Sequence, residues 1–172
     1  PDPGTSKKTV VTEKFVPNAK EDTLLIGESL QKLDYTLANC CSPIAGDNVF
    51  GFITVSGGIK VHRKNCPNAT NMLSKYAYRM MKAKWSSMAA AQFEVKIAFT
   101  GIDNVGLVNQ LTTVISDNMK VNMKSISMES KDGIFEGSIK ALVTNTSHLK
   151  DLMTKLKNVS GVHTVERVDE EV

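Results

Sequence analysis

Apolar and polar positions along this chain change period several times, and each change marks an element. Phe93, Val95, Ile97 and Phe99 alternate with Glu94, Lys96 and Ala98, the period of a half-buried strand. Leu107, Val108, Leu111, Val114 and Ile115 then fall at helical spacing and predict a helix ending near Asn118. Val121 to Glu129 reads as a second strand, Lys131-Asp132-Gly133 as a tight hairpin turn, and Phe135 to Val143 as a third strand. Leu149, Leu152, Met153 and Leu156 sit at i, i+3, i+4 and i+7, with Lys155 and Lys157 at the end of the helix that favours cations. Gly161 turns the chain into a last strand, Val162 to Val168, and the acidic stretch Asp169 to Glu171 is expected to fray. The order is βαββαβ, the ferredoxin-like split arrangement. Each helix has one apolar stripe, so both must cover the same sheet face. The other face is left to water, a ligand or a partner.

The first half is more broken. Leu33 to Ala38 forms a short run ending in Cys40-Cys41, and Pro43 with Gly46-Asp47 makes a turn. Phe50 to Val55 and Ile59 to His62 predict a hairpin around Ser56-Gly57-Gly58. Pro67 suits the first turn of a helix from Asn68 to about Tyr76, and Arg79 to Trp85 reads as a further strand. Thr9 to Val16 could form a strand, bracketed by Pro1, Pro3, Gly4 and Pro17. The featureless stretch Ser86 to Ala91 marks a boundary. The expected organisation is α+β: 1–29 a linker or partial upstream region, 30–88 a small β-rich Cys/His domain, and 89–172 the βαββαβ domain.

Composition narrows the function. A chain of 172 residues, 41% hydrophobic, can bury a sizeable core, and 23% charged residues do not suggest wholesale disorder. No apolar run approaches the roughly 18 residues of a membrane span, no signal-like segment opens the chain, and no membrane partner is expected. A first residue of Pro rather than Met suggests a piece of something longer. The net charge of +3 hides an asymmetry: residues 1–88 hold 12 Lys/Arg and 7 Asp/Glu, and residues 89–172 hold 9 and 11. No carboxylate occurs from Asn48 to Phe93, while Lys60, Arg63, Lys64, Lys75, Arg79, Lys82 and Lys84 do. Such a run is either a solvated face or a surface for phosphates, and charge alone leaves both open.

Three cysteines cannot close a disulfide framework without a leftover. With His62 the count becomes even, because Cys40, Cys41, His62 and Cys66 form a C-C-x20-H-x3-C array. Three thiols and one imidazole are a complete tetrahedral set for zinc, here a structural ion. The difficulty is the adjacent pair. Neighbouring side chains of an extended strand point to opposite faces, so both reach one metal only if the backbone kinks. The alternative is three reduced thiols and a surface histidine. His148 and His163 have no cysteine near them in sequence and are expected to be ordinary surface positions.

Leu37-Ala38-Asn39-Cys40-Cys41-Ser42-Pro43-Ile44-Ala45-Gly46-Asp47, then Gly51-Phe52-Ile53-Thr54, then Gly58-Ile59-Lys60-Val61-His62-Arg63-Lys64-Asn65-Cys66 closely resembles the C-terminal regulatory region of the RelA/SpoT family. These are long (p)ppGpp synthetases/hydrolases (GTP pyrophosphokinases) of the bacterial stringent response. The resemblance covers about residues 30 to 170. It implies a zinc-finger or ribosome-intersubunit domain followed by an ACT domain, in a cytoplasmic bacterial protein whose catalytic domains precede this region. No catalytic residue is expected in this chain. There is no Gly-rich phosphate loop, paired His-Asp metal motif, or nucleophile with a base. The implied partners are the ribosome, through ribosomal RNA near an A site that holds tRNA, and the parent's own catalytic domains. Arg63 and Lys64 lie inside the family motif; the other five bases rest on charge.

The loop from Thr100 to Val108 resembles the ACT ligand loop, which makes Asp103, Asn104, Val105, Gly106 and Leu107 the candidate ligand residues. Asn104 stands where the family commonly has Arg, which removes a bidentate partner for a carboxylate. A branched-chain amino acid bound there, or a homodimer formed through the open sheet face, are the alternatives to nucleic-acid contact.

Overall fold

The computed structural model describes residues 23–27, 34–86 and 92–169. Thr9 to Val16, most of the expected boundary stretch and the chain end beyond Asp169 lie outside the described residues. Two lobes follow each other. The first is built on β1 (Thr23–Ile26), β2 (Tyr35–Leu37), β3 (Val49–Ile53), β4 (Ile59–Arg63) and β5 (Met80–Trp85), in the order β1-β5-β3-β4-β2. Its helix α1 (Ala69–Tyr76) runs into a short 3-10 turn, Ala77–Arg79. The β3–β4 hairpin forms where alternation and the Ser-Gly-Gly turn place it, with Gly57 at φ +89°.

β1 was not expected. It falls inside the stretch taken for a linker, yet Leu24 and Ile26 are fully or nearly fully buried and the strand pairs in parallel with β5. Thr-Leu-Leu-Ile is too short to show a period. Its partner lies some sixty residues away in sequence, so no local turn announces the pairing.

The second lobe holds β6 (Phe93–Ile102), α2 (Leu107–Thr113), β7 (Asn122–Lys131), β8 (Ile134–Val143), α3 (Thr146–Lys157) and β9 (Val162–Val168). Its antiparallel sheet runs β7-β8-β6-β9, which completes the ferredoxin-like order. The alternation in β6 is strict: Phe93, Val95, Ile97 and Phe99 are buried and the residues between them are not. Gly101 and Gly137 admit Phe135 and Phe99; a Cβ on either glycine would sit 2.7 Å from the facing ring. α2 is shorter than its apolar pattern, because Val114–Asn118 widens into a π-helical turn. α3 is capped by Asn145, whose side chain accepts from the His148 amide.

The lobes share a core. Ile44, from the loop after the cysteine pair, is fully buried within the second lobe's apolar cluster. Trp85 packs edge-on against Phe93 at 5.3 Å and donates its indole N–H to the Asp47 carbonyl. The Thr146 amide, at the start of α3, donates to the Ala45 carbonyl. Among the described residues no helix is long and apolar enough to cross a membrane.

Candidate metal centre and basic face

Cys40, Cys41, His62 and Cys66 converge, with their ligand atoms within 4.8 Å of one another. The kink that the adjacent pair requires is present. Residues 39–41 form a turn closed by the Ser42 amide on the Ala38 carbonyl at 3.0 Å, and Ser42 sits at φ +40°. Both thiols therefore face the same point. Cys40 Sγ lies 3.4 Å from His62 Nδ1 and 3.5 Å from Cys66 Sγ, and Cys66 Sγ lies 3.7 Å from His62 Nδ1. Cys41 Sγ is 3.9 Å from the same nitrogen. A tetrahedral zinc with bonds of ~2.3 Å to sulfur and ~2.0 Å to nitrogen would set its ligands ~3.5–3.8 Å apart, so the donor set fits the ion. Cys40, Cys41 and Cys66 are all free.

Burial keeps Cys41, Cys66 and His62 in their neutral forms. Burial pushes the Cys41 thiol up to about 12 and raises that of Cys66. Burial, with a contribution from Lys60, holds His62 below 6.5. Neutral imidazole is the form that binds metal, and a divalent cation would displace the thiol protons and offset the thiolate charge that burial disfavours. The supporting contacts are in place. The Arg63 amide donates to Cys41 Sγ at 3.3 Å, and the His62 ring stacks on Phe50 at 5.6 Å.

The same loop is fastened to the second lobe. Arg167 of β9 donates to both Asp47 oxygens, at 2.9 and 3.0 Å, and to the Ser42 carbonyl at 2.8 Å. Asp47 Oδ2 also accepts from the Ile44 amide. Arg63 donates from Nε to the Cys41 carbonyl and pairs with Asp169. This bears on two expectations. Arg63 is buried and braces the cysteine loop, so it is not part of an open basic surface. Asp169 is held by that pair, and Glu170 and Glu171 lie outside the described residues. Neither pairing has a local sequence signal, because each partner is over a hundred residues away.

Register sorts the remaining bases. Phe50 lies opposite His62 on one side and Lys82 on the other, and Phe52 lies opposite Lys60 and Met80. Residues directly opposite share a face, and alternate residues along a strand return to it. Lys60, Lys82 and Lys84 therefore share the face of the first sheet that carries Phe50, Phe52 and His62. All three lysines are exposed, as are Lys64 and Lys75, and Arg79 is half-buried. α1 buries none of its residues and leaves Leu73 and Tyr76 exposed; Tyr78 follows, also exposed. The aromatic residues Phe52, Tyr76 and Tyr78 among these cations were missed by a count of charges. Their interleaving with Lys75 and Arg79 was the available signal.

The ACT-like loop is differently built. Asp103 accepts from the Ser130 hydroxyl at 2.6 Å, and its amide donates to the Gly133 carbonyl. Leu107 is buried in the core, whereas Val105 is 98% exposed. Gly106, at φ +81°, opens α2, and a Cβ there would meet nothing within 4 Å. Ile102 lies opposite Ile134 in the sheet and both are exposed, as is Val108. His148 accepts from the Thr144 amide through Nδ1 beside the α3 cap, and His163 is exposed.

Two family profiles match the chain. One, the RelA/SpoT RIS domain, matches residues 25–86; the other, an ACT domain, matches residues 89–167. The bifunctional (p)ppGpp synthase/hydrolase RelA of Mycobacterium tuberculosis is 35% identical over 133 residues, which is 77% of this chain and 18% of that protein. The GTP pyrophosphokinase of Escherichia coli K12 is 30% identical over 125 residues, 72% of this chain and 17% of that protein. The crystal structure of the ACT domain from GTP pyrophosphokinase of Chlorobium tepidum aligns over all of its length and 45% of this chain, with 42% identity and a TM-score of 0.42. The chain thus spans about a fifth of the length of the curated relatives it matches.

Proposed function

This chain belongs to the RelA/SpoT family, carrying its RIS and ACT domains, and from that premise we propose that it is the regulatory end of a bifunctional (p)ppGpp synthetase/hydrolase of the stringent response. The RIS lobe binds ribosomal RNA close to a bound tRNA, and the ACT lobe passes that state to the parent's catalytic domains. The chain itself catalyses nothing. Cys40, Cys41, His62 and Cys66 hold one zinc ion, which supplies the positive charge that keeps the 38–42 turn and the end of β4 together.

The observation that carries the proposal is one sheet face. It displays Lys60, Lys82 and Lys84 around half-exposed Phe52, beside the Cys/His cluster, within a stretch of chain that has no carboxylate. Phosphate backbones are the ordinary counterpart of such a surface. The route to the ACT lobe is the same cysteine loop, through Arg167, Asp47 and buried Ile44. Cosedimentation of the zinc-loaded chain with ribosomes over a salt series tests this. Pelleting at low salt that is lost as salt rises is expected; no pelleting at low salt overturns it.

A second reading is favoured by the exposed cluster Ile102, Val105, Val108 and Ile134 at the ACT loop. An apolar patch there suits a second copy of the chain or the side chain of a branched-chain amino acid. Sedimentation equilibrium with and without each of these amino acids decides it. A monomer throughout, with no effect of ligand, removes it.

A further inference from the structure

Beside the metal centre, on the basic face, lies a groove of about 470 Å³. We propose that this groove takes one unpaired nucleotide of RNA, its base stacked against Phe52 and its phosphate held by Lys60 and Arg79. The inference deepens the RNA role assigned above and rests on it.

The groove's chemistry is what a single nucleotide requires. Its volume is within the roughly 300–1,000 Å³ of small-ligand sites. Phe52 supplies a ring, half-exposed and supported edge-on by Tyr76 at 6.3 Å between centroids. Asn39 and Asn68 supply amide groups, which both donate and accept and so can read a base edge. Asn68 precedes α1 without using its side chain as a cap. Lys60 and Arg79 supply two cations, and the Arg79 guanidinium is held 5.8 Å from the Tyr76 ring and 5.6 Å from the Tyr78 ring. None of the lining residues is acidic. A nonspecific phosphate surface needs only the lysines. A concave site with a ring and two amides suits a base that has left its stack, the form in which RNA sequence is usually read. Cys40 and His62 also line the groove, so the metal turn sets its shape.

The test compares two RNAs of equal length and charge, a hairpin with 2-aminopurine in an unpaired loop and a fully paired duplex. Each is titrated with the zinc-loaded chain at fixed salt, by anisotropy and by 2-aminopurine fluorescence. The hairpin is expected to bind at least tenfold more tightly, with quenching as the base stacks. Phe52→Leu, which keeps an apolar side chain and removes the ring, should reduce hairpin affinity at least fivefold and leave the duplex unchanged. Asn68→Ala, at an exposed position, is the second variant in case the first disturbs folding, and it should lower hairpin affinity selectively. Lys82→Ala, on the same face but outside the groove, should weaken both RNAs alike. Equal binding of the two RNAs, or no selective loss in either groove variant, overturns the nucleotide site while leaving the basic face intact. No binding of either RNA overturns the underlying RNA role. Preference for an acidic phosphopeptide over both RNAs reassigns the groove and overturns the inference.

Discussion

Arg167→Ala should loosen the joint between the lobes. The guanidinium makes three hydrogen bonds, two to Asp47 and one to the Ser42 carbonyl, and the two side chains are only 15% and 12% exposed. Removing it leaves the Asp47 carboxylate with the Ile44 amide and a largely desolvated charge. Breaking a buried pair from one side costs about 3–5 kcal/mol, and residual solvent at this site lowers that to about 2–4 kcal/mol. With a urea slope of ~2 kcal/mol/M for a chain of this size, the midpoint should fall by about 1–2 M. Trp85, the single tryptophan, reports directly, because its indole bonds to the Asp47 carbonyl and packs on Phe93. Arg167→Lys keeps the charge and loses the planar fork, so it should recover less than half of the loss. A midpoint within ~0.2 M of the parent chain for Arg167→Ala would refute the claim that this pair fastens the cysteine loop to the ACT lobe.

Purified under reducing conditions, the chain should carry about one zinc per molecule by elemental analysis, and Cys66→Ser should carry much less; a stoichiometry near zero in the parent chain counts against the site. In the metal-free chain, His62 is held below 6.5, so the folded form binds fewer protons than the unfolded one and stability falls as pH drops below 6.5. Cys41 is raised from 9.0 to about 12, so stability is intact below 9.0 and is lost as pH climbs toward 12. Thermal midpoints of the chelated chain should therefore peak between those limits; a maximum above pH 10 would contradict the Cys41 shift, and a maximum below pH 6 the His62 shift. Gly46→Ala and Gly57→Ala both place a side chain at positive φ, but only at residue 46 would the new Cβ meet Thr146, at 2.3 Å from its hydroxyl. The first should cost at least about 2 kcal/mol more than the second in urea unfolding; equal costs would mean that the 45–47 turn does not seat on α3.

The ACT lobe was legible because its signals are local. Strict alternation in β6, a Lys-Asp-Gly turn, and an i, i+3, i+4, i+7 stripe in α3 each decide an element within about ten residues. The four metal-centre residues were also legible as a set, but the way Cys40 and Cys41 face one point depends on a turn between Ala38 and Ser42 that no periodicity announces. What stayed hidden is long-range. β1 is defined by a parallel partner far along the chain, and Ile44 looks like a loop residue until the second lobe closes on it. Arg63 shows the limit of charge counting: in sequence it is one of seven bases, and in the fold it is committed to Cys41 and Asp169.

The central claim is that the metal-held RIS lobe presents the RNA-binding face, and reversible chelation tests it most directly. Ribosome cosedimentation is measured at low salt for the zinc-loaded chain, the chelated chain, and the chelated chain after zinc is restored. Binding that disappears on chelation and returns with zinc is predicted. Equal binding in all three states would contradict it.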